Sequence, residues 1–163
     1  MNKAYFAGGC FWCITPIYAR MAGVQSVRCG YSGGDEENPS YLDVKHQNTG
    51  HRETICICYD PTLVSFERLL DEFLLSVDPF DPGGQFIDRG HSYTLAIYYT
   101  SEEERLVSAR KLQELEQDEG KRPCIALEPF KSFYEAEEEH QNYFEKNPEA
   151  FEQELLDSGR KNK

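Results

Sequence analysis

The sequence predicts an α+β fold in one domain: a split βαβ (ferredoxin-like) sheet with helices packed against it. Three observations lead there. Short apolar or alternating runs, the mark of strands, interleave with helical spacings in the order β-α-β-β-α-β over residues 4–99. A chain of 163 residues can bury one real core but not two comfortable ones. No internal repeat and no Gly/Ser-rich linker divides it.

Taken in order, Ala4 to Ala7 is an apolar run ended by Gly8-Gly9, a first strand. Phe11, Ile14, Ile17, Tyr18 and Met21 then recur at helical spacing, with Gly23 a natural stop and Pro16 placed in the first turns or at a bend. Val24 to Tyr31 reads as a second strand, and residues 32–51 as a long loop rich in turn formers. Glu53 to Tyr59 alternates, with Ile55, Ile57 and Tyr59 on one face and Thr54, Cys56 and Cys58 on the other. Ser65 is placed to cap a helix whose apolar face is Phe66, Leu69, Leu70, Phe73 and Leu74. Asp78 to Gly90 is a second long loop, followed by a strand from Tyr93 to Tyr99. Ser101 and Glu104 form a capping-box signature for a charged helix reaching about Glu119. Cys124 to Leu127 reads as a fifth strand, 134–146 as a polar helix stopped at Asn147-Pro148, and 149–163 as a polar C-terminal tail.

The net charge of −12 argues against a nucleic-acid backbone or an anionic membrane surface as partner. No apolar run approaches the roughly 20 residues that span a bilayer, and the opening residues lack a secretory pattern. The expected location is therefore cytoplasmic. In that reducing compartment the six cysteines are read as catalytic, metal-binding or buried before they are read as staples.

Gly8-Gly9-Cys10-Phe11-Trp12-Cys13 is the most informative segment. Two glycines allow a sharp turn from strand to helix, and a cysteine in the first helical turn sits near unpaired N–H groups, which favour thiolate over thiol. Cys13 completes a C-x-x-C redox spacing with Cys10. Phe11 and Trp12 are either core or an apolar cup for a methyl or thioether group. Tyr41 and Glu53 are proton-donor types beside the first long loop, and Asp88 and Tyr93 are their counterparts in the second. His51, next to Gly50, reads as a backbone-positioning residue, and the Glu-rich run 135–139 as a solvated helix face. A thioredoxin-like exchanger would use Cys10 and Cys13 without needing Tyr41, Glu53 and Tyr93. A zinc module would need Cys10, Cys13, Cys56 and Cys58, but Cys56-x-Cys58 lies in an alternating strand and not a tight knuckle. No metal is expected. A non-catalytic partner-binding domain requires an unreactive Cys10.

Seven segments together resemble the peptide methionine sulfoxide reductase A family, which is specific for the S epimer. They are Gly9-Cys10-Phe11-Trp12, Gly30-Tyr31-Ser32-Gly33-Gly34, Asn38-Pro39-Ser40-Tyr41 and Thr49-Gly50-His51-x-Glu53, then Tyr59-Asp60-Pro61 and Gln85-x-x-Asp88-x-Gly90-x-x-Tyr93. His140-Gln141 with Lys146-Asn147-Pro148 completes the set, so the resemblance covers about residues 4–148 and a catalytic domain of 1–148.

The resemblance implies a nucleophile at Cys10 and a methyl-binding wall from Phe11 and Trp12. It also implies an oxygen-facing set of Tyr41, Glu53 and Tyr93, with Asp88 nearby. The implied chemistry reduces methionine S-sulfoxide, free or in proteins, through a Cys10 sulfenic acid and a disulfide. Thioredoxin or another thiol is the expected external reductant, with no bound cofactor. Three positions depart from the family: Cys13 stands where Gly is common, Thr15 where an acid is frequent, and no cysteine follows Cys124. The resolving thiol is thus open among Cys13, Cys56 and Cys58, with direct attack by glutathione as the alternative.

Overall fold

The structure is a computed structural model and describes residues 1–160. Its four inner strands are β1 (Asn2–Gly8), β2 (Val24–Ser32), β3 (Arg52–Tyr59) and, later in the chain, Leu95–Tyr99. They lie in the order Leu95–Tyr99, β1, β3, β2, every neighbour antiparallel, which is the split βαβ arrangement. Register is fixed by pairs such as Phe6 with Ile55 and with Ile97, whose side chains share one face of the sheet.

Two helices cover that face: α1 (Phe11–Ala19) and, beyond the short α2 (Tyr41–Lys45), α3 (Phe66–Ser76). Phe6, Ile14, Tyr18, Ile55, Ile57, Leu69, Leu70 and Phe73 form the core between them, all essentially inaccessible. Removing one such side chain to Ala would cost about 2–5 kcal/mol. The opposite face carries Tyr5, Ala7, Cys56, Ala96 and Tyr98, covered by Phe130 and Phe133, with Phe130 stacked 4.1 Å from Tyr5. The alternation in β3 therefore sends Ile55 and Ile57 toward α1 and α3, and Cys56 away from them.

Several elements differ from the sequence expectation. The first long loop contains α2, with a reciprocal capping box between Ser40 and Asp43. The second contains a small hairpin of β4 (Gly84–Gln85) and β5 (Asp88–Arg89), turned through Phe86 at φ 57°. The strand expected from Tyr93 is β6 (Leu95–Tyr99), preceded by a 3₁₀ turn over His91–Tyr93. Pro16 lies in the middle of α1 and is buried there. α4 (Glu102–Glu119) is capped by Ser101 and ended by Gly120 in the left-handed region, and leads to β7 (Ile125–Pro129), parallel to β6.

Residues 134–146 are not one helix. They form β8 (Tyr134–Glu135) on the edge of β2, a 3₁₀ turn over Glu138–His140 and the single-turn α5 (Tyr143–Lys146). The cause is Gln141, whose amide imitates a strand: Oε1 accepts from Cys29 N at 2.8 Å and Nε2 donates to Cys29 O at 2.9 Å. Nor are residues 149–160 of the expected tail unstructured. Pro148 opens α6 (Pro148–Ser158), which packs against α1. Arg160 beyond it is only 8% exposed and donates to the carbonyls of Ser76 at 2.9 Å and Gly8 at 3.0 Å. The polar composition hid a segment that docks through one cation. The last three positions of the expected tail, 161–163, lie outside the described residues.

Candidate active site

The turn from β1 into α1 is closed on both sides. A side chain at Gly8 would meet Ile14 Cδ1 at 2.5 Å. One at Gly9, where φ is +87°, would lie 2.8 Å from Gln85 Cβ and 2.9 Å from Arg160 Nη2. Cys10 follows as the N-cap of α1, and its side chain does not cap the helix. Glu53, reaching across from β3, takes that position: its Oε1 accepts the Phe11 N–H at 3.1 Å.

This occupancy corrects the expectation of a resting thiolate. The carboxyl, not the sulfur, receives the helix's free donor. A hydrogen bond shared with Cys13, burial, and the nearby Glu53 and Asp88 push the Cys10 thiol well above its ordinary pKa. Burial also pushes Glu53 well up, against the Phe11 hydrogen bond, and its Oε2 has no partner. A protonated, 1%-exposed carboxyl with one free oxygen is a proton donor in waiting.

Aromatic rings enclose the first turn of α1. Phe11 is 1% exposed and packs against the rings of Tyr31, Tyr41 and His140. Trp12 is partly exposed and lies flat on Tyr143, centroids 4.0 Å apart, with Tyr41 and His140 beside it. Its indole N–H donates to His140 Nδ1 at 3.3 Å, and burial lowers the His140 pKa, so the ring is a neutral acceptor.

Tyr41 on α2 and Tyr93 in the 3₁₀ turn are neighbours, and both phenols are raised by burial and then by the nearby Glu53. Gln47 brings the two loops together: its Nε2 donates to Ser92 Oγ at 2.8 Å and its Oε1 accepts from Ser92 N at 3.0 Å. The Tyr41 backbone N–H is held by Glu137 at 3.1 Å, and the Tyr31 hydroxyl donates to the same carboxylate at 3.0 Å. Burial works against the charge of Glu137, but hydrogen bonds from its own backbone, then from Tyr41 N and the Tyr31 hydroxyl, prevail and hold it below the usual carboxylate range. Asp88, half-buried on β5, is raised first by burial and then by Glu154, with Arg160 and Lys45 opposing. His51, fully buried, accepts from Gly34 N and bonds the Glu36 carbonyl, fixing the loop that ends in Glu53.

The structure thus brings together Cys10, Phe11, Trp12, Cys13, Tyr41, Glu53, Asp88 and Tyr93. It does not bring Cys56 and Cys58 to them. Cys56 lies on the sheet face opposite α1, and Cys58 is half-exposed near Gln25. The four thiols of the zinc alternative are divided by the sheet. Cys29 lies under α1, its sulfur 3.2 Å from Thr15 Oγ1, so the unusual Thr15 is a buried partner of that thiol and of the Phe11 carbonyl. Among the described residues, Cys10 with Asp88 and Glu154, and Glu137 with Glu139 and His140, are groups whose donor atoms lie within 4.8 Å of one another.

Sequence reasoning missed Tyr31, Glu137, His140, Glu154 and Arg160. His140-Gln141 stood in a recognised segment without a role, and Glu137 was read as part of a solvated helix face. Glu154 and Arg160 carry no local signal, because only the docking of α6 brings them to Cys10.

A family model described as Peptide methionine sulfoxide reductase matches residues 2–163. The chain is 44% identical over 162 residues to the peptide methionine sulfoxide reductase MsrA of Halalkalibacterium halodurans, covering 98% of this chain and 92% of the relative. It is similar in structure to reduced Mxr1 from Saccharomyces cerevisiae, with TM-score 0.85 and 28% identity over 91% of this chain and 86% of the other. Mxr1 in complex with Trx2 matches at TM-score 0.57 and 19% identity, covering 87% and 84%.

Proposed function

The chain belongs to the peptide methionine sulfoxide reductase family and reduces methionine sulfoxide by a thiol, and we propose that Cys10 is the nucleophile of that reaction. The observation that carries the assignment is the Glu53 Oε2, buried beside Cys10 with no hydrogen-bond partner among the described residues. A sulfoxide oxygen leaves its sulfur only once protonated, and a buried neutral carboxyl is suited to that transfer.

In the proposed cycle the S epimer lodges its methyl group against Phe11 and Trp12. The Tyr41 and Tyr93 hydroxyls hold the oxygen, with Asp88 nearby. The Cys10 sulfur attacks the substrate sulfur as Glu53 protonates the oxygen, and oxygen transfer leaves a thioether and a Cys10 sulfenic acid. Cys13, the thiol next to Cys10 in the first turn of α1, is assigned to condense with that acid, forming an S–S bond and releasing water. A thioredoxin then reduces the disulfide. Support for that reductant comes from Mxr1, which forms a complex with Trx2. No helix among the described residues is long and apolar enough to cross a membrane. A cytoplasmic setting suits six cysteines and a cycle that needs reduced thiols.

The test is single-turnover reduction of a methionine S-sulfoxide peptide, with mass-spectrometric trapping of oxidised Cys10. Thioether formation with a sulfenic acid or disulfide at Cys10 is expected. Equal turnover by Cys10→Ser would remove the assignment.

A further inference from the structure

The proton inventory at Cys10 is incomplete with the groups named so far. At rest the sulfur is a buried thiol whose titratable neighbours, Cys13, Glu53 and Asp88, are all acids. Attack on a sulfoxide must shed the S–H proton. Glu53 cannot receive it while protonating the oxygen, so the proton needs another acceptor, in solvent or at the sulfur itself.

Such a group is present on α6. A carboxylate oxygen of Glu154, one of Asp88 and the Cys10 sulfur all lie within 4.8 Å of one another, a span that direct approach or one bridging water closes. Glu154 is half-buried, and its helix is fixed at the nucleophile by Arg160, which binds the Gly8 carbonyl and stacks 4.8 Å from the Phe86 ring centroid. Two separate elements, the β4–β5 hairpin and α6, thus converge on one sulfur with a carboxyl each.

We propose that Glu154, paired with Asp88, accepts the Cys10 proton as the sulfur attacks. The proposal rests on the Cys10 reading above. The atoms balance: Glu53 gives its proton to the transferred oxygen, which ends as the sulfenic O–H, and the thiol proton ends on the carboxylate pair. Solvent then returns one proton to Glu53 and takes one from the pair. Burial and then the neighbouring Glu154 raise Asp88, so this carboxyl pair is suited to taking up a proton. Arg160 and Lys45 oppose the upward shift of Asp88, while Cys13, Glu53, Tyr41 and Tyr93 complete the ionisable surroundings.

The experiment compares wild type, Glu154→Gln and Glu154→Asp in the full chain. Thioether formed in one turnover is measured across pH, and Cys10 alkylation by iodoacetamide is followed by mass spectrometry. Glu154→Gln is expected to slow thioether formation about 100-fold near neutrality, the low end for a positioned acid–base group. The deficit should shrink as pH rises and hydroxide takes over, and Glu154→Asp should recover part of it. Alkylation should be unchanged or faster, because a lost neighbouring negative charge favours the thiolate. Unchanged or faster thioether formation in Glu154→Gln overturns the proposal, as does a pH-independent loss that Glu154→Asp shares. Slowed alkylation in parallel with slowed reduction also overturns it, by showing a displaced Cys10. Failure of the Cys10 reading is separate: wild type would then form thioether without oxidising Cys10.

Discussion

Glu53 and Phe11 are joined by a 3.1 Å hydrogen bond that spends one carboxyl oxygen on the start of α1 and leaves the other with no partner. The helix donor orients the acid without ionising it, since burial outweighs the bond. A conventional cap would surrender its charge to the helix; this one is held back from ionising beside Cys10.

Glu53→Gln should therefore slow the chemical step by about 100-fold or more while leaving substrate affinity within a few-fold. Single-turnover kinetics at saturating sulfoxide is the measurement. In wild type the same step should fall as pH rises through the raised pKa of Glu53, because the acid form is the active one.

The same residue makes a stability prediction. Its folded pKa lies above its unfolded one, so its contribution is fully present below the unfolded value and is lost as pH rises through the folded value. Across that window wild type should lose up to about 1.4 kcal/mol per pH unit relative to Glu53→Gln. Urea melts at a series of pH values would show the two curves diverging; parallel curves would place the carboxyl in a solvated setting.

Phe11 and Trp12 are neighbours in sequence with different burdens. Phe11→Ala should cost about 3–5 kcal/mol of folding stability, as expected for a fully buried ring. Trp12→Ala, at a half-buried ring, should cost less stability than Phe11→Ala but bind the sulfoxide about tenfold more weakly, through loss of an aromatic contact of roughly 0.5–1.5 kcal/mol and its packing. Denaturant midpoints and KM measured together separate the two.

The three resolving candidates are divided by the sheet. Cys13→Ser should complete one turnover and then stall with thioredoxin, whereas Cys56→Ser and Cys58→Ser should cycle at the wild-type rate. Steady-state turnover with a thioredoxin system, followed by disulfide mapping, is the check. A stall in Cys56→Ser would require β3 to expose its far face.

Arg160→Met should lower stability by about 2–4 kcal/mol, since it removes two hydrogen bonds from a buried cation to the Gly8 and Ser76 carbonyls. It should also loosen α6, so proteolysis after residue 147 should accelerate before the sheet is attacked.

How much of this was legible in the sequence follows from range. The alternation of Ile55 and Ile57, the Ser65 and Ser101 caps and the Gly8-Gly9 turn are local signals, and each produced the element it announced. Glu53, Tyr41, Tyr93 and Asp88 were visible because they sit beside turn-rich loops. What failed was written in partners far along the chain. Gln141 dissolves a helical pattern by pairing with Cys29, 112 residues away. The Cys10 thiol was misjudged because its rival for the helix donor comes from β3. The charge of residues 149–160 suggested solvent, and nothing in it announces that Arg160 will be buried.

The bond from Arg160 to Gly8 spans 152 positions of chain. On the ribosome, β1, α1 and the residues through Tyr99 can pair long before Arg160 has been made. During that interval the Gly8-Gly9 turn lacks the cation that anchors it, and Cys10 lacks the carboxyl that α6 presents. Closure of so long a loop is slow compared with hairpin and helix formation. The order of synthesis therefore makes the anchoring of the Gly8-Gly9 turn a late acquisition, gained in one docking event after the sheet exists.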